Sequence, residues 1–437
     1  MRFLFLPLLF VFNTYIGLAQ SFTSYLIGSE ADVNATTLPG TVLAGGAGDS
    51  DAAMIWMLER AGGGDVVVLR ASGTDGYNNY FFEDLGVSVN SVETIVFNTA
   101  EAAEDDYVIQ QIENAECLFI AGGDQWDYIS YWKDSGVEAA LNYLINTKGV
   151  TIGGTSAGMA IQGDAYFSAE NGTVYSDESL MDPYNEYLTI GYNDFLQNEV
   201  LNNTITDTHF DNPDRKGRLT AFMARLLIDD GIMPFAIASE EFVAVCIDEN
   251  NIARVFGEFP DYDDYAYFVQ LNYCNENLAP EVCEEGVSLT WLQEGAALKV
   301  LKVAGDVNGT GSFNLNDRSI VEGSTFSWED WSVNEGVLQV VENSEPLECD
   351  SVSTSVEIED NIEIQCYPNP VYNTLLVKHN FSDMVTWSIT DISGRQILFG
   401  SSSDANFLIE MQMLSSGIYI FRLANDKQHF VRTIEKK

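Results

Sequence analysis

Basic side chains are scarce in this chain. Twenty lysines and arginines stand against 66 aspartates and glutamates, giving a formal net charge of −46. Phosphate binding needs a basic face, so nucleic acid is excluded as a partner. The acids are scattered rather than gathered into one tail, the pattern of a solvated, exported surface. Histidine is scarcer still, with three among 437 residues, so imidazole chemistry has few places to be. Six cysteines are too few for a disulfide scaffold of this size, and no C-x-x-C or His/Cys spacing points to zinc. Beyond the N-terminus no apolar run is long enough to span a membrane.

What is present is a globular composition, 46% hydrophobic and 12% aromatic, on a chain long enough for two or three domains. Residues 1–20 read as a secretory signal peptide: Arg2, an apolar run Phe3 to Phe12, and a small-residue exit at Gly17-Leu18-Ala19-Gln20. A main domain is expected over 21–342, with a core at 41–255. In that core, apolar runs starting at Thr41, Asp65, Val92 and Cys117 alternate with helical stretches Ala53–Arg60, Asp105–Asn114 and Val137–Asn146. Continuous apolar strands between helices predict an α/β fold with a parallel sheet covered on both faces. Gly turns after Ala44, Ala121 and Ile152 fall at strand carboxyl ends, the rim where such sheets bind ligands.

From about Ile252 the pattern turns aromatic and alternating, which predicts a β-rich extension over 256–342. An acidic linker follows at 343–363. The last segment, 364–437, has short strands with turns at Pro368-Asn369-Pro370, Ser393-Gly394 and Ser416-Gly417, the pattern of a small β-sandwich. Cys117 and Cys246 sit in apolar runs as core thiols. Cys274 and Cys283 flank a short loop and could pair locally, and Cys349 and Cys366 flank the linker.

The chemistry centres on Val150-Thr151-Ile152-Gly153-Gly154-Thr155-Ser156-Ala157-Gly158. A β-branched run enters a cluster of small residues with one serine in the middle, and an apolar helical run leaves it. That is a strand, a sharp turn and a helix with a nucleophile at the turn, in G-x-S-x-G spacing. Ser156 needs a base. His209 is the only histidine in the same domain, since His379 and His429 lie in the terminal segment. The acid that orients it is open among Asp164, Glu170, Asp177, Glu178 and Asp207. The amides of Ala157 and Gly123 are candidates for an oxyanion hole. Asp306 to Asp317 carries oxygen side chains in a calcium-loop-like spacing, but with Thr310 at the fifth position and no preceding helix it reads better as a Gly/Asn turn.

Together, Leu43-Ala44-Gly45-Gly46, Ile120-Ala121-Gly122-Gly123-Asp124-Gln125, Gly153 to Gly158, Asp207-Thr208-His209-Phe210 and Gly217-Arg218-Leu219 resemble the cyanophycinase / dipeptidase E family of serine peptidases. Val68 to Asn78 and Ile237-Ala238-Ser239-Glu240-Glu241 fit its cyanophycinase branch. The resemblance implies a flavodoxin-like fold related to class I glutamine amidotransferases and a Ser-His-acid hydrolase without metal or cofactor. It implies Ser156 as nucleophile and His209 as base. Glu178 is the best match for the acid, with Asp177 and Glu170 behind it. Gln125, Asp207, Arg215 and Arg218 match substrate-pocket positions. Family members usually carry an arginine where this chain has Pro213. That departure leaves cyanophycin in question and aspartyl or β-aspartyl peptides open. The tail, with Cys366-Tyr367-Pro368-Asn369-Pro370, Asp391 to Arg395 and Leu414 to Tyr419, resembles a sorting domain of the type IX secretion system. The expectation is an exported or cell-surface serine exopeptidase that meets a peptide substrate and the type IX machinery, with a homodimer left open. The alternative is a non-catalytic surface binding protein on the same fold.

Overall fold

Continuous β-branched and leucine-rich runs bury both faces of a strand, and here they build the centre of a sheet. The computed structural model describes residues 20–437, except 276, 319–320, 323–324, 348–363, 369, 380, 382–383, 392–395, 416 and 425–428. The expected signal peptide (all but Gln20), most of the linker and the Ser393-Gly394 turn lie outside the described residues. The chain divides into two units, 1–349 and 350–437.

In the first unit the opening strands are β1 (Phe22–Gly28), β2 (Gly40–Ala44), β3 (Asp65–Arg70), β4 (Ser91–Phe97), β5 (Cys117–Ile120) and β6 (Thr151–Thr155). Five of them pair in parallel in the order β4-β3-β5-β6-β2. Strands β3 to β6 thus lie in the spatial order 2-1-3-4, while β2, the first of the five in the chain, takes the fifth place. Successive residues of β3 point to opposite faces. Val67 and Leu69 pack with Val108, Ile112, Val137 and Leu141 from two helices, Asp106–Asn114 and Gly136–Tyr143. Val66 and Val68 pack with Met54, Met57 and Leu58 of the helix Asp51–Glu59. Both faces are covered, as the alternation of apolar runs and helices predicts.

The remaining strands are β7 (Ala165–Phe167), β8 (Ile190–Tyr192), β9 (Thr204–Asp207), β10 (Phe235–Ser239), β11 (Ala244–Ile247), β12 (Ile252–Phe256), β13 (Tyr265–Leu271), β14 (Leu298–Ala304), β15 (Gly311–Asn314), β16 (Val321–Glu322), β17 (Phe326–Asn334) and β18 (Val337–Glu342). The first sheet extends past β2 through β11, β12, β15 and β16. A second sheet runs β18-β17-β14-β13-β10-β9-β7-β8. The expected β-rich extension therefore supplies strands to both sheets rather than standing beside the core. A cluster of Leu43, Met159, Ile237, Val245, Phe268 and Leu301 packs strands of one sheet against strands of the other.

Cys117 and Cys246 are buried free thiols, as expected. Cys274 is disulfide-bonded, but Cys283 is free, so the local Cys274–Cys283 pair does not form; Cys366 is free as well. The Asp306 loop closes on itself: its carboxylate accepts the amides of Asn308 at 2.8 Å and Thr310 at 3.2 Å, and the Thr310 hydroxyl. Among the described residues no helix is long and apolar enough to cross a membrane.

Among its described residues the second unit holds two antiparallel sheets, one of three strands and one of four. They share one core that includes Val371, Leu375, Val377, Val385, Ile389, Ile409 and Phe421. His379 is buried there, its Nε2 against the Asp404 carbonyl at 3.1 Å and its Nδ1 accepting the Phe381 amide at 3.2 Å.

Candidate active site

Strand β6 ends at Thr155, and Ser156 turns the chain into the short helix Ala157–Ala160. Ser156 holds φ 53° and ψ −118°, a conformation that costs a non-glycine residue about 1–3 kcal/mol. The turn is tight enough that a Cβ on Gly154 would lie 2.4 Å from the Gly158 carbonyl oxygen. A Cβ on Gly158 would lie 2.1 Å from the carbonyl oxygen of Ile120. Glycine on both sides of the serine is thus a steric demand of this elbow. The Ser156 amide donates to the Ala44 carbonyl at 3.0 Å, which ties the elbow to the end of β2.

Strands β2, β5 and β6 are parallel neighbours, so their carboxyl ends lie side by side. The three Gly turns do share one rim. Strand β9 of the second sheet ends at Asp207, and His209 follows it with φ 46°. Its amide donates to the Gly45 carbonyl at 2.8 Å. Gly46, with φ 106°, lies flat beneath the imidazole, where a Cβ would stand 2.4 Å from Nε2. The two sheets are stitched at this corner. A Cβ on Gly45 would lie 2.0 Å from the Glu240 carbonyl oxygen, and the Ser239 hydroxyl donates to the Leu43 carbonyl at 3.1 Å.

These constraints bring Ser156 Oγ to 2.8 Å from His209 Nε2. On the far side of the ring, His209 Nδ1 lies 2.7 Å from Glu241 Oε1. An ionised carboxylate only accepts, so Nδ1 carries the proton and Nε2 is left to accept from the serine hydroxyl. Glu241 is itself positioned, its amide donating to Asp211 Oδ1 at 2.9 Å and its Oε2 facing Asn212 Nδ2 at 3.5 Å.

Glu178 is not beside the imidazole. It sits in the first turn of the helix Ser176–Met181, and its carboxylate accepts the Tyr175 amide at 3.1 Å as half of a capping box. Asp164 accepts the Asn203 amide at 2.9 Å, and Asp207 is paired elsewhere. Glu241 closes the Ile237-Ala238-Ser239-Glu240-Glu241 motif and is not among the acids expected beside His209. No sequence signal singles out Glu241: only the parallel pairing of β10 with β9, with Ala238 opposite Asp207, makes residues just past the two strand ends neighbours.

Of the pocket positions implied by resemblance, Asp207 and Arg218 satisfy each other. They are 2% and 3% exposed, and the guanidinium grips both carboxylate oxygens. The Arg218 guanidinium of that buried bidentate pair sits over the Phe167 and Phe222 rings. Arg215 donates to the Thr208 carbonyl at 2.8 Å, just ahead of His209, and burial and the Arg218 charge pull its pKa down. Gln125 reaches the Phe167 carbonyl at 3.4 Å. A cleft of about 310 Å³ opens beside Ser156, lined by Gly46, Asp49, Arg70, Tyr77, Thr155 and His209 among others. Gly122 also lines it, and a Cβ there would lie 3.5 Å from the Ser156 Cβ, while a Cβ on Gly123 would lie 2.8 Å from the Tyr128 hydroxyl. Ala157 heads its helix, where amides lack intrahelical acceptors. Among the described residues no cluster of three or more His, Cys, Asp or Glu side chains is arranged to hold a metal.

Residues 75–232 match peptidase family S51, and residues 365–437 match a secretion system C-terminal sorting domain. Two curated cyanophycinases, from Trichormus variabilis and a Nostoc species, are each 27% identical over 143 residues, 33% of this chain. The matched stretch spans 44% of the length of those relatives. Among solved structures, a peptidase from an acI-B1 Actinobacterium aligns with 51% of this chain and 89% of its own, at 12% identity and a TM-score of 0.37. A putative peptidase E protein from Listeria monocytogenes aligns with 50% and 98%, at 13% identity and a TM-score of 0.33. The S51 match contains Ser156 and His209 and stops short of Glu241. Residues 75–232 are thus similar to the S51 peptidase family, and residues 365–437 to a secretion-system sorting domain.

Proposed function

We propose that the protein is an exported serine peptidase that cleaves aspartyl or β-aspartyl peptide bonds. The observation that carries the reading is the unbroken relay from Ser156 through His209 to Glu241, with contacts of 2.8 and 2.7 Å. Ser156 Oγ attacks the carbonyl carbon while His209 Nε2 takes its proton. The imidazolium returns that proton to the leaving amine, and Glu241 stabilises it and holds the tautomer. The amides of Ala157 and of the Gly122-Gly123 turn are the donors this reading assigns to the developing oxyanion. Water activated by His209 then releases the acyl group. The aspartyl preference rests on the resemblance to cyanophycinases, and the sorting domain supports export through the type IX system.

The test is fluorophosphonate labelling of the full chain with tryptic mapping, alongside hydrolysis of β-aspartyl dipeptides. Labelling at Ser156 and loss of both labelling and hydrolysis in Ser156→Ala are expected. An unlabelled Ser156, or hydrolysis that survives Ser156→Ala, removes the mechanism and leaves a binding protein on a hydrolase fold.

A further inference from the structure

One cation faces the Ser156 cleft from β3, which holds none of the substrate-pocket positions implied by the resemblance. Arg70 is the last residue of β3, and the following loop folds back under its side chain. Its Nε donates to the Ser72 carbonyl and its Nη1 to the Thr74 carbonyl, the latter at 2.9 Å. Gly73, with φ 90°, leaves the space the guanidinium fills, since a Cβ there would lie 2.3 Å from Nη2. The fork is thus held in place by neutral groups. In a chain of net charge −46, no ion pair among the described residues involves Arg70. Other lining groups are fixed as well. Tyr77 packs on Phe81 and Phe119 and donates to Asp49 Oδ2 at 2.7 Å, and burial raises the Asp49 pKa.

We propose that Arg70 is the carboxylate-recognising group of this cleft and selects substrates with a free carboxylate close to the scissile bond. A pre-positioned guanidinium whose charge is not neutralised by the protein is suited to a bidentate carboxylate contact. A volume of about 310 Å³ is at the small end of ligand pockets, so the carboxylate lies within about one residue of the carbonyl that Ser156 attacks. The inference deepens the peptidase reading and rests on Ser156 as its nucleophile. It also supplies, from β3, a positive charge of the kind that Pro213 removes from the family position.

The experiment measures binding in the Ser156→Ala background of the full chain, where no turnover can occur. Titration calorimetry compares β-aspartyl-glycine with its bis-carboxamide. The dicarboxylate is expected to bind about 10- to 100-fold more tightly. Adding Arg70→Met is expected to bring the two affinities together, and Arg70→Lys, which keeps a point charge without the fork, to restore part of the difference. Circular dichroism confirms that each variant is folded. Equal affinities in the Ser156→Ala chain, or a preference that survives Arg70→Met, overturn the proposal. A failure of the nucleophile reading shows separately, as an unlabelled wild-type Ser156 with the calorimetric preference intact.

Discussion

Glu241→Gln isolates the acid member of the relay. The carboxylate accepts the Nδ1 proton at 2.7 Å. A carboxamide presents either a neutral oxygen or an NH₂ group to the same nitrogen. Loss of a charge-assisted hydrogen bond costs about 1.5–3 kcal/mol, or roughly 10- to 150-fold in rate if it is felt wholly in the transition state. The NH₂ orientation adds to this, because it forces the proton onto Nε2 and leaves Ser156 without a base. At a buried triad an acid-to-amide change costs roughly 10⁴ in kcat. Here the His209 and Glu241 side chains are 22% and 20% exposed, so water partly compensates. The expected fall in kcat is therefore about 10² to 10⁴, read as β-aspartyl dipeptide turnover and as the rate of Ser156 labelling. Glu178→Gln is the matched control. It weakens only a helix cap, with a cost of at most about 1 kcal/mol in stability and kcat within about two-fold of wild type. A Glu241→Gln chain within about ten-fold of wild type, or a Glu178→Gln chain as impaired as Glu241→Gln, would refute this account of the relay.

Two further outcomes follow from the surroundings of the site. Arg218→Ala leaves Asp207 as an uncompensated buried charge and is expected to cost about 3–5 kcal/mol in denaturant unfolding; a changed KM with unchanged stability would restore Arg218 to the substrate pocket. Glu240 accepts the Tyr267 hydroxyl and the Tyr265 amide, both at 2.8 Å, and burial raises its pKa from 4.5 to about 7. Between those values the folded chain holds a proton that the unfolded chain has released, so this group's contribution to stability falls as pH rises through the window. Glu240→Gln cannot titrate, and its melting temperature is expected to change less steeply with pH from about 5 to 8 than that of wild type; parallel slopes would rule the group out.

Much of this protein is legible along the chain because the relevant interactions are local. The apolar run of β3 and the small residues at 153–158 each demand a particular backbone, so strand, turn and helix can be assigned before any packing is known. The scarcity of histidine does similar work, since only His209 shares a domain with Ser156. The interior of the main domain is less legible. The strands past Ile252 read as an added piece because alternation reports one buried face and not which sheet buries it. Pairing then distributes them between both sheets.

The acid of the relay and the fate of the arginines belong to the tertiary structure alone. Glu241 stands 32 residues beyond His209, on the connection from β10 of one sheet to β11 of the other. In a chain with 66 acids, proximity in sequence could not single it out. The parallel pairing of β9 with β10 and the contact of Gly45 with Glu240 bring it to the imidazole. Glu178, nearer in sequence, is used to cap a helix. Arg218 is drawn into the core by Asp207, while Arg70 is left facing the serine. Residue type and local spacing determined which groups are available to the proposed relay. Which acid and which cation stand at the serine depends on how the two sheets meet, because hydrogen bonds and ion pairs act over a few ångströms of space and not along the sequence.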